Sequence, residues 1–445
     1  MAAKIWYTKQ NKNIIFRNSP CVVTFKDWRQ LEHNISTHKD MSILKNCDVV
    51  ITNGVFQAVG EDEYKKVQNI NEYQVIDASH LVLMPGLIDC HTHPIFAGSR
   101  ANETVLKSQG MTYEEIAAKN VGGIAATVKA TREVSKETLS EIYQMHAKDA
   151  LARGVVLLEA KTGYGLNPQE ERKLLEAIYL AYSGANAYEL PAVAPTYLGP
   201  HAASPEYRGL DNYLQALIED LPNIAALGEE AFKKGFTLPL AADIFLERNY
   251  FTKEQAERWL GAALQHGLDI HIHSDEFSRG GGAELAAELA RRIEQTATKR
   301  RIKGRVLTVD HCQYSTESDL GRLSALGVVA VALPCTSFFS RIPYVDAKKW
   351  RSSGVRIAIA SDFNPGSAIM NNLWFACYLA LSHCTFSLPE VYAGVTINAA
   401  LAIGAEENYG SIENGKKASL VAFEGKTAED FFTSPIGDHV RHVVV

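Results

Sequence analysis

The chain lacks a hydrophobic run long enough for a bilayer. No apolar stretch among its 445 residues approaches the roughly 20 that a spanning helix needs. The opening "MAAKIWYTKQNKNII" carries Lys and Gln where a signal peptide has its apolar segment, so a cytoplasmic protein is expected. An excess of one charge is also missing. A net charge of −6 leaves no basic footprint for nucleic acid or an anionic membrane, and neither partner is expected. The longest basic run, "TKRRIKGR" from Thr298 to Arg305, reads as a solvated loop. There is no C-x-x-C pair. The seven cysteines (Cys21, Cys47, Cys90, Cys312, Cys335, Cys377 and Cys384) are odd in number and mostly sit inside apolar segments, which excludes a disulfide framework and a thiolate zinc site. Internal repeats and low-complexity segments are absent too.

What is present is a beat of short apolar runs: "GLIDCHTH", "GVVLLEAKTG", "LPAVAPTYLG", "LAADIFLE", "LDIHIHSDE", "GRVLTVDHC", "GVVAVALPC" and "GVRIAIASDF". Between most of them lie helical patterns such as "PQEERKLLEAIYLAY" and "TKEQAERWLGAALQHG", opened by plausible caps and several closed by glycine. Apolar strands alternating with helices imply a parallel sheet covered on both faces. Eight such units over about 310 residues fit a closed (β/α)8 TIM-like barrel. An open doubly wound sheet is the alternative, but no G-x-G-x-x-G follows the first strand.

Both ends of the chain read as β structure. "CDVVITNGVFQAVG" is a strand, turn and strand around Asn53-Gly54, and "GSIENGKKASLVAFEG" has the same character near the C-terminus. We expect a small β-sandwich built from residues 1–82 and 403–445, beside a barrel at 83–402.

Barrel enzymes place their chemistry at the C-terminal ends of the strands. There the sequence puts His91 and His93 after strand one, with His201 after strand three. His271 and His273 lie in strand five, Asp310-His311 ends strand six, and Asp362 follows strand eight. The apolar stretch from Leu81 to Ile88 reads as one buried strand leading to His91 and His93, whose i, i+2 spacing puts both imidazoles on one face. Imidazoles with one carboxylate suit zinc or ferrous iron and leave a position open for water. His91, His93, Asp362 and one of His271 and His273 supply that set.

"PGLIDCHTH" resembles the opening motif of the amidohydrolase superfamily, metal-dependent hydrolases on a (β/α)8 barrel with a sandwich made from both termini. The likeness covers most of the chain. "HTHPIFAGSR", "SQGMTYEEI", "EAKTGYGL", "GPHAASPEY", "IHSDEFSRGGGAELA", "VDHC" and "ASDFNPGS" resemble the branch that opens an imidazolone ring during histidine breakdown. The resemblance implies ligation by His91, His93, His273 and Asp362. Dinuclear relatives bridge two metals with a carboxylated lysine on strand four, and "LAADIFLERNYF" has none, so one Zn²⁺ or Fe²⁺/Fe³⁺ per chain is expected. Lys161 on strand two reads as structural.

The implied substrate is a small molecule with a ring carbonyl, ring N–H groups and a propionate tail. Arg100 has the planar fork that matches a carboxylate. Tyr113 and Tyr164 lie on the next two loops. His201 is expected to donate to the ring oxygen, and Asn364, Gly366 and Ser367 to form a turn whose N–H groups bind the product's carboxylates. Catalysis is expected from Glu276, which takes or relays the water's proton, from Asp362 as proton donor to the leaving nitrogen, and from His311, which orients the water or stabilises the oxyanion. The product would be N-formimino-L-glutamate. A mononuclear deaminase or hydrolase of another cyclic amide or heteroaromatic ring is the alternative, but it has no use for Arg100 aimed at a propionate. The resemblance also implies a homodimer.

Overall fold

The computed structural model describes residues 6–7, 12–31, 34–111, 123–184, 189–235, 238–297, 304–434 and 437–445. Parallel strands form at all eight apolar runs: Leu87–Asp89, Val155–Lys161, Ala192–Tyr197, Ala241–Ala242 with Phe245–Leu246, Asp269–Ile270 with His273–Ser274, Thr308–His311, Val329–Ala332 and Ile357–Ile359. Strands four and five each break at mid-length. His271 N to Ala242 O (2.9 Å) and His273 N to Ile244 O (3.1 Å) carry the pairing across the break. The ring closes where Asp362 N donates to His91 O (3.0 Å) and His93 N to Phe363 O (2.8 Å). Closure of the barrel and placement of the expected ligands therefore use the same backbone bonds.

Covering helices begin where their caps direct. Asn167 accepts from Glu170 N ahead of Pro168–Ala181, with proline in the first turn. Thr252 and Gln255 form a capping box ahead of Lys253–Gln265. All seven residues of Val155–Lys161 are buried, as expected for a strand with helices outside and a filled barrel inside.

Strands from both ends of the chain meet beside the barrel. One sheet orders Trp6–Tyr7, Val440–Val444, Leu420–Glu424, Leu81–Pro85 and Cys21–Val22; the other orders Val55–Gly60, Cys47–Thr52, Ile14–Ser19 and Gln74–Asp77. The hairpin turns through Asn53 (φ 54°) and Gly54 (φ 76°), the left-handed pair such a two-residue turn requires.

The single strand expected over Leu81 to Ile88 is in fact two. Leu81–Pro85 pairs antiparallel with Leu420–Glu424, and Leu87–Asp89 pairs parallel with the second barrel strand. The run is apolar throughout because both halves are buried on both faces. Leu81 and Leu83 enter the sandwich core, whereas Val82 and Met84 pack with the barrel core. Gly86 makes the change of sheet, and a Cβ there would lie 2.5 Å from Val156 Cγ1. Among the described residues no helix is long and apolar enough to cross a membrane.

Candidate metal centre and pocket

At the mouth of the barrel three imidazoles and a carboxylate converge. His93 Nε2 lies 3.4 Å from His273 Nε2 and 3.4 Å from Asp362 Oδ1, while His91 Nε2 lies 3.5 Å from the same oxygen. Four donors about 2.0–2.1 Å from a tetrahedral ion stand about 3.3–3.4 Å apart, so these spacings fit a first-row metal. Among the described residues the buried His91 Nε2 has no hydrogen-bond partner, an arrangement stable only if something else meets that lone pair. Its other nitrogen, Nδ1, lies 2.7 Å from Asp310 Oδ2, and His273 Nδ1 lies 2.7 Å from Asp243 Oδ2. The Asp310 hydrogen bond fixes the tautomer that turns His91 Nε2 inward, and Asp243 stands as the ionic partner behind the His273 ring. Burial, aided by the nearby Lys161 ammonium, pushes the proton affinity of His91 well down, so it stays neutral as a ligand must. His271 points elsewhere: Nδ1 lies 2.8 Å from Thr308 Oγ1, and Nε2 faces Glu159 at 3.6 Å.

Backbone strain collects at the same rim. Asp275 (φ 62°), His311 (φ 74°), Cys312 (φ 57°) and Asp362 (φ 53°) all adopt the left-handed region without being glycine. Asp362 is further held by the Thr336 hydroxyl, which donates to Oδ2. Burial alone would raise its pKa, but the His93 contact and the neighbouring imidazoles bring it down to about 2.

Above this floor lies a pocket lined by His93, Arg100, Tyr164, His201, His273, Glu276, His311, Asp362, Asn364 and Ser367, with Ile124 and Phe245 added. His91 sits beneath it. Tyr113 lies outside the described residues. Glu276 is positioned by Glu247, whose Oε2 accepts from Glu276 N (3.0 Å) and Phe277 N (2.9 Å). Burial, reinforced by the Asp362 and Glu247 charges, raises the proton affinity of Glu276 well above that of an ordinary carboxylate. His311 Nε2 lies 3.7 Å from Glu276 Oε2, and burial depresses the His311 pKa to about 3. Tyr164 rides on a loop gathered by Glu171, which accepts from the N–H groups of Gly163, Gly165 and Leu166 at 2.6–2.8 Å.

Three details differ from the sequence reading. His201 Nδ1 lies 2.9 Å from the Gly163 carbonyl, which can only accept, so Nδ1 carries the proton. Burial depresses the His201 pKa to about 3, leaving Nε2 a neutral acceptor rather than the donor expected for the ring oxygen. The N–H groups of Gly366 and Ser367, expected to meet a carboxylate, donate instead to Asn364 Oδ1 at 2.8 and 2.7 Å. That bond closes an Asx turn. Arg100 is gripped by Glu103 through Nε (2.5 Å) and Nη2 (2.8 Å), and its guanidinium lies against Gly366, where a Cβ would come within 2.1 Å of Nη1.

The sequence assigned no role to Asp243, Glu103 or Thr336, and placed Asp310 at a strand end without tying it to His91. The available signal was a carboxylate embedded in an apolar barrel strand, as in "AADIF" and "LTVDH". Asp310→Asn is expected to weaken metal affinity by ~10–100-fold through His91 while leaving the fold intact, measured by competition with a chelating dye. Unchanged affinity would remove Asp310 from the support of the site.

Comparison with solved structures places the architecture. A zinc-bound adenosine deaminase from Xanthomonas campestris superposes with a TM-score of 0.65 at 16% identity, covering 97% of this chain and 91% of that one. A zinc-complexed atrazine chlorohydrolase from Arthrobacter aurescens TC1 gives 0.66 at 16% identity, covering 97% and 94%. The fold is shared with both. Residues 203–445 match the profile described as "Amidohydrolase family". An imidazolonepropionase from Geobacillus thermodenitrificans (strain NG80-2) is 38% identical over 389 residues, 86% of this chain and 85% of the relative. One from Bdellovibrio bacteriovorus (strain HD100) is 31% identical over 440 residues, 98% and 96%. The chain belongs to the amidohydrolases and, within them, to the imidazolonepropionase family: metal-dependent hydrolases of carbon–nitrogen bonds.

Proposed function

We propose that the chain hydrolyses 4-imidazolone-5-propanoate to N-formimino-L-glutamate, with one zinc or iron ion held by His91, His93, His273 and Asp362. The observation that carries this reading is a pocket with those donors at its floor, a carboxyl of raised proton affinity on its wall and a guanidinium at its side. When bound, the ion supplies Lewis acidity and lowers the pKa of a coordinated water toward ~7. Glu276 takes a proton from the attacking water as its oxygen adds to the ring carbonyl carbon. The C–N bond then breaks, and the nitrogen leaves with a proton delivered from the Glu276 and Asp362 side of the pocket. His311, neutral and beside Glu276, orients the water. His201 accepts from a ring N–H through Nε2, and Tyr164 and the Asn364–Ser367 turn bound the ring. Arg100 faces the propionate, and Tyr113 is kept as a substrate-binding residue on its sequence position alone.

We assign the sandwich to residues 1–82 and 403–445 and the barrel to 83–402, acting as a cytoplasmic homodimer without nucleic-acid or membrane partners. Light scattering of the purified protein checks the assembly. The deciding experiment follows loss of the imidazolone chromophore with metal-loaded protein and identifies the product by mass. Ring opening with about one zinc or iron per chain by elemental analysis supports the reading. Ammonia release from a heteroaromatic ring without turnover of the imidazolone would replace it by a deaminase.

A further inference from the structure

Beneath the proposed metal site lies a second group that can meet a cation. Ligand atoms of Asp243, His273 and Asp310, all buried, fall within 4.8 Å of one another. The space is already served by an ammonium. Lys161 comes up from the end of strand two with its side chain fully buried, and Nζ lies 2.8 Å from Asp243 Oδ2 and 3.7 Å from Asp310 Oδ2. Its third carboxylate is Glu159, whose Oε1 stands 2.8 Å away.

The oxygens involved are shared. Asp243 Oδ2 also grips His273 Nδ1, and Asp310 Oδ2 also grips His91 Nδ1. One point charge thus sits behind both carboxylates that orient metal-ligating imidazoles. Removing a cation from water into this interior is costly unless opposite charges surround it, and three carboxylates do so here. Conversely, those carboxylates without the ammonium would have to take up protons or another cation. A divalent ion is one such cation, since hard cations take carboxylate oxygen and zinc also accepts His nitrogen.

The geometry points to Lys161 as a built-in cation that occupies the place of a second metal, limiting the centre to one ion by filling the Asp243–Asp310 cradle. This rests on the metal-site reading given above. Lys161 is here a positioning residue: it touches neither the pocket nor the four proposed donors, and acts through Asp243 and Asp310.

Lys161→Met keeps the length of the side chain and removes the charge. Wild-type and variant apoprotein are titrated with Co²⁺ under matched conditions, and bound cobalt is counted after gel filtration and read by electron paramagnetic resonance. The wild type is expected to hold one ion with an uncoupled signal even at twentyfold excess, and Lys161→Met to hold two with spin coupling. Lys161→Arg, which retains the charge, is expected to stay at one. A folded Lys161→Met that still binds a single ion at wild-type affinity overturns the proposal, because a merely structural lysine would not change stoichiometry. Should Lys161→Met fail to fold, Lys161→Gln takes its place in the same titration: a second, coupled ion upholds the proposal, and a single ion, or a second ion taken up by the wild type beside an intact Lys161, overturns it. A wild type that binds no ion at all removes the metal-site reading itself, and is distinguishable from both results.

Discussion

Glu276→Gln is expected to lower kcat by ~10²–10⁴ with metal content unchanged, the range over which a positioned general base contributes. The substitution preserves shape. Glu276 is placed by its backbone N–H, which donates to Glu247. A glutamine therefore inherits the position while losing the ability to take a proton. It also removes a carboxylate whose charged form burial and two neighbouring acids disfavour, the same effect that makes it a stronger base, so no folding cost is expected. Parallel measurement of kcat, bound metal and thermal midpoint checks the claim. Wild-type turnover with full metal occupancy would exclude Glu276 as the base, and a fall in kcat accompanied by metal loss would make it a support of the centre.

Much of this site was legible in the chain because barrel geometry converts strand order into proximity. Polar residues at the ends of apolar runs 30 or so positions apart are brought to one rim, so His91, His93, His201, His273, His311 and Asp362 could be grouped without coordinates. What remained illegible were hydrogen bonds whose partners lie far along the chain. Nothing local indicates that Asp243 would fix the ring of His273, or that Lys161 would reach across to Asp243, 82 residues away. The His201 tautomer depends on the Gly163 carbonyl, 38 residues distant. The division of Leu81 to Ile88 was hidden for another reason: a strand buried on both faces shows no alternation, so periodicity cannot mark where one sheet hands over to another. Asn364 misled differently. The turn was expected, but an Asx side chain satisfies the N–H groups that an incoming carboxylate would otherwise meet.

Arg100→Met is expected to reduce kcat/KM for the propionate-bearing substrate by ~30- to 1,000-fold, equivalent to the roughly 2–4 kcal/mol of a charge-assisted contact in a partly dehydrated pocket. The Glu103 pair complicates a single substitution. Both partners are nearly inaccessible, so removing Arg100 strands a buried carboxylate, and breaking such a pair costs about 3–5 kcal/mol of stability. Adding Glu103→Gln removes that stranded charge. The double variant is expected to recover most of the thermal midpoint and none of the kcat/KM, because the lost contact is with the tail and not with Glu103. Arg100→Lys should recover only part of the activity, since an ammonium lacks the planar fork. Metal content should stay at the wild-type level throughout, as Arg100 lies outside the proposed donor set. An imidazolone lacking the propionate provides the control: the wild type should process it poorly and Arg100→Met about as poorly, because handle and receptor act as one unit. If the double variant regains activity along with stability, or if Arg100→Met harms both substrates equally, Arg100 serves the fold, and recognition of the tail must be sought elsewhere on the pocket wall.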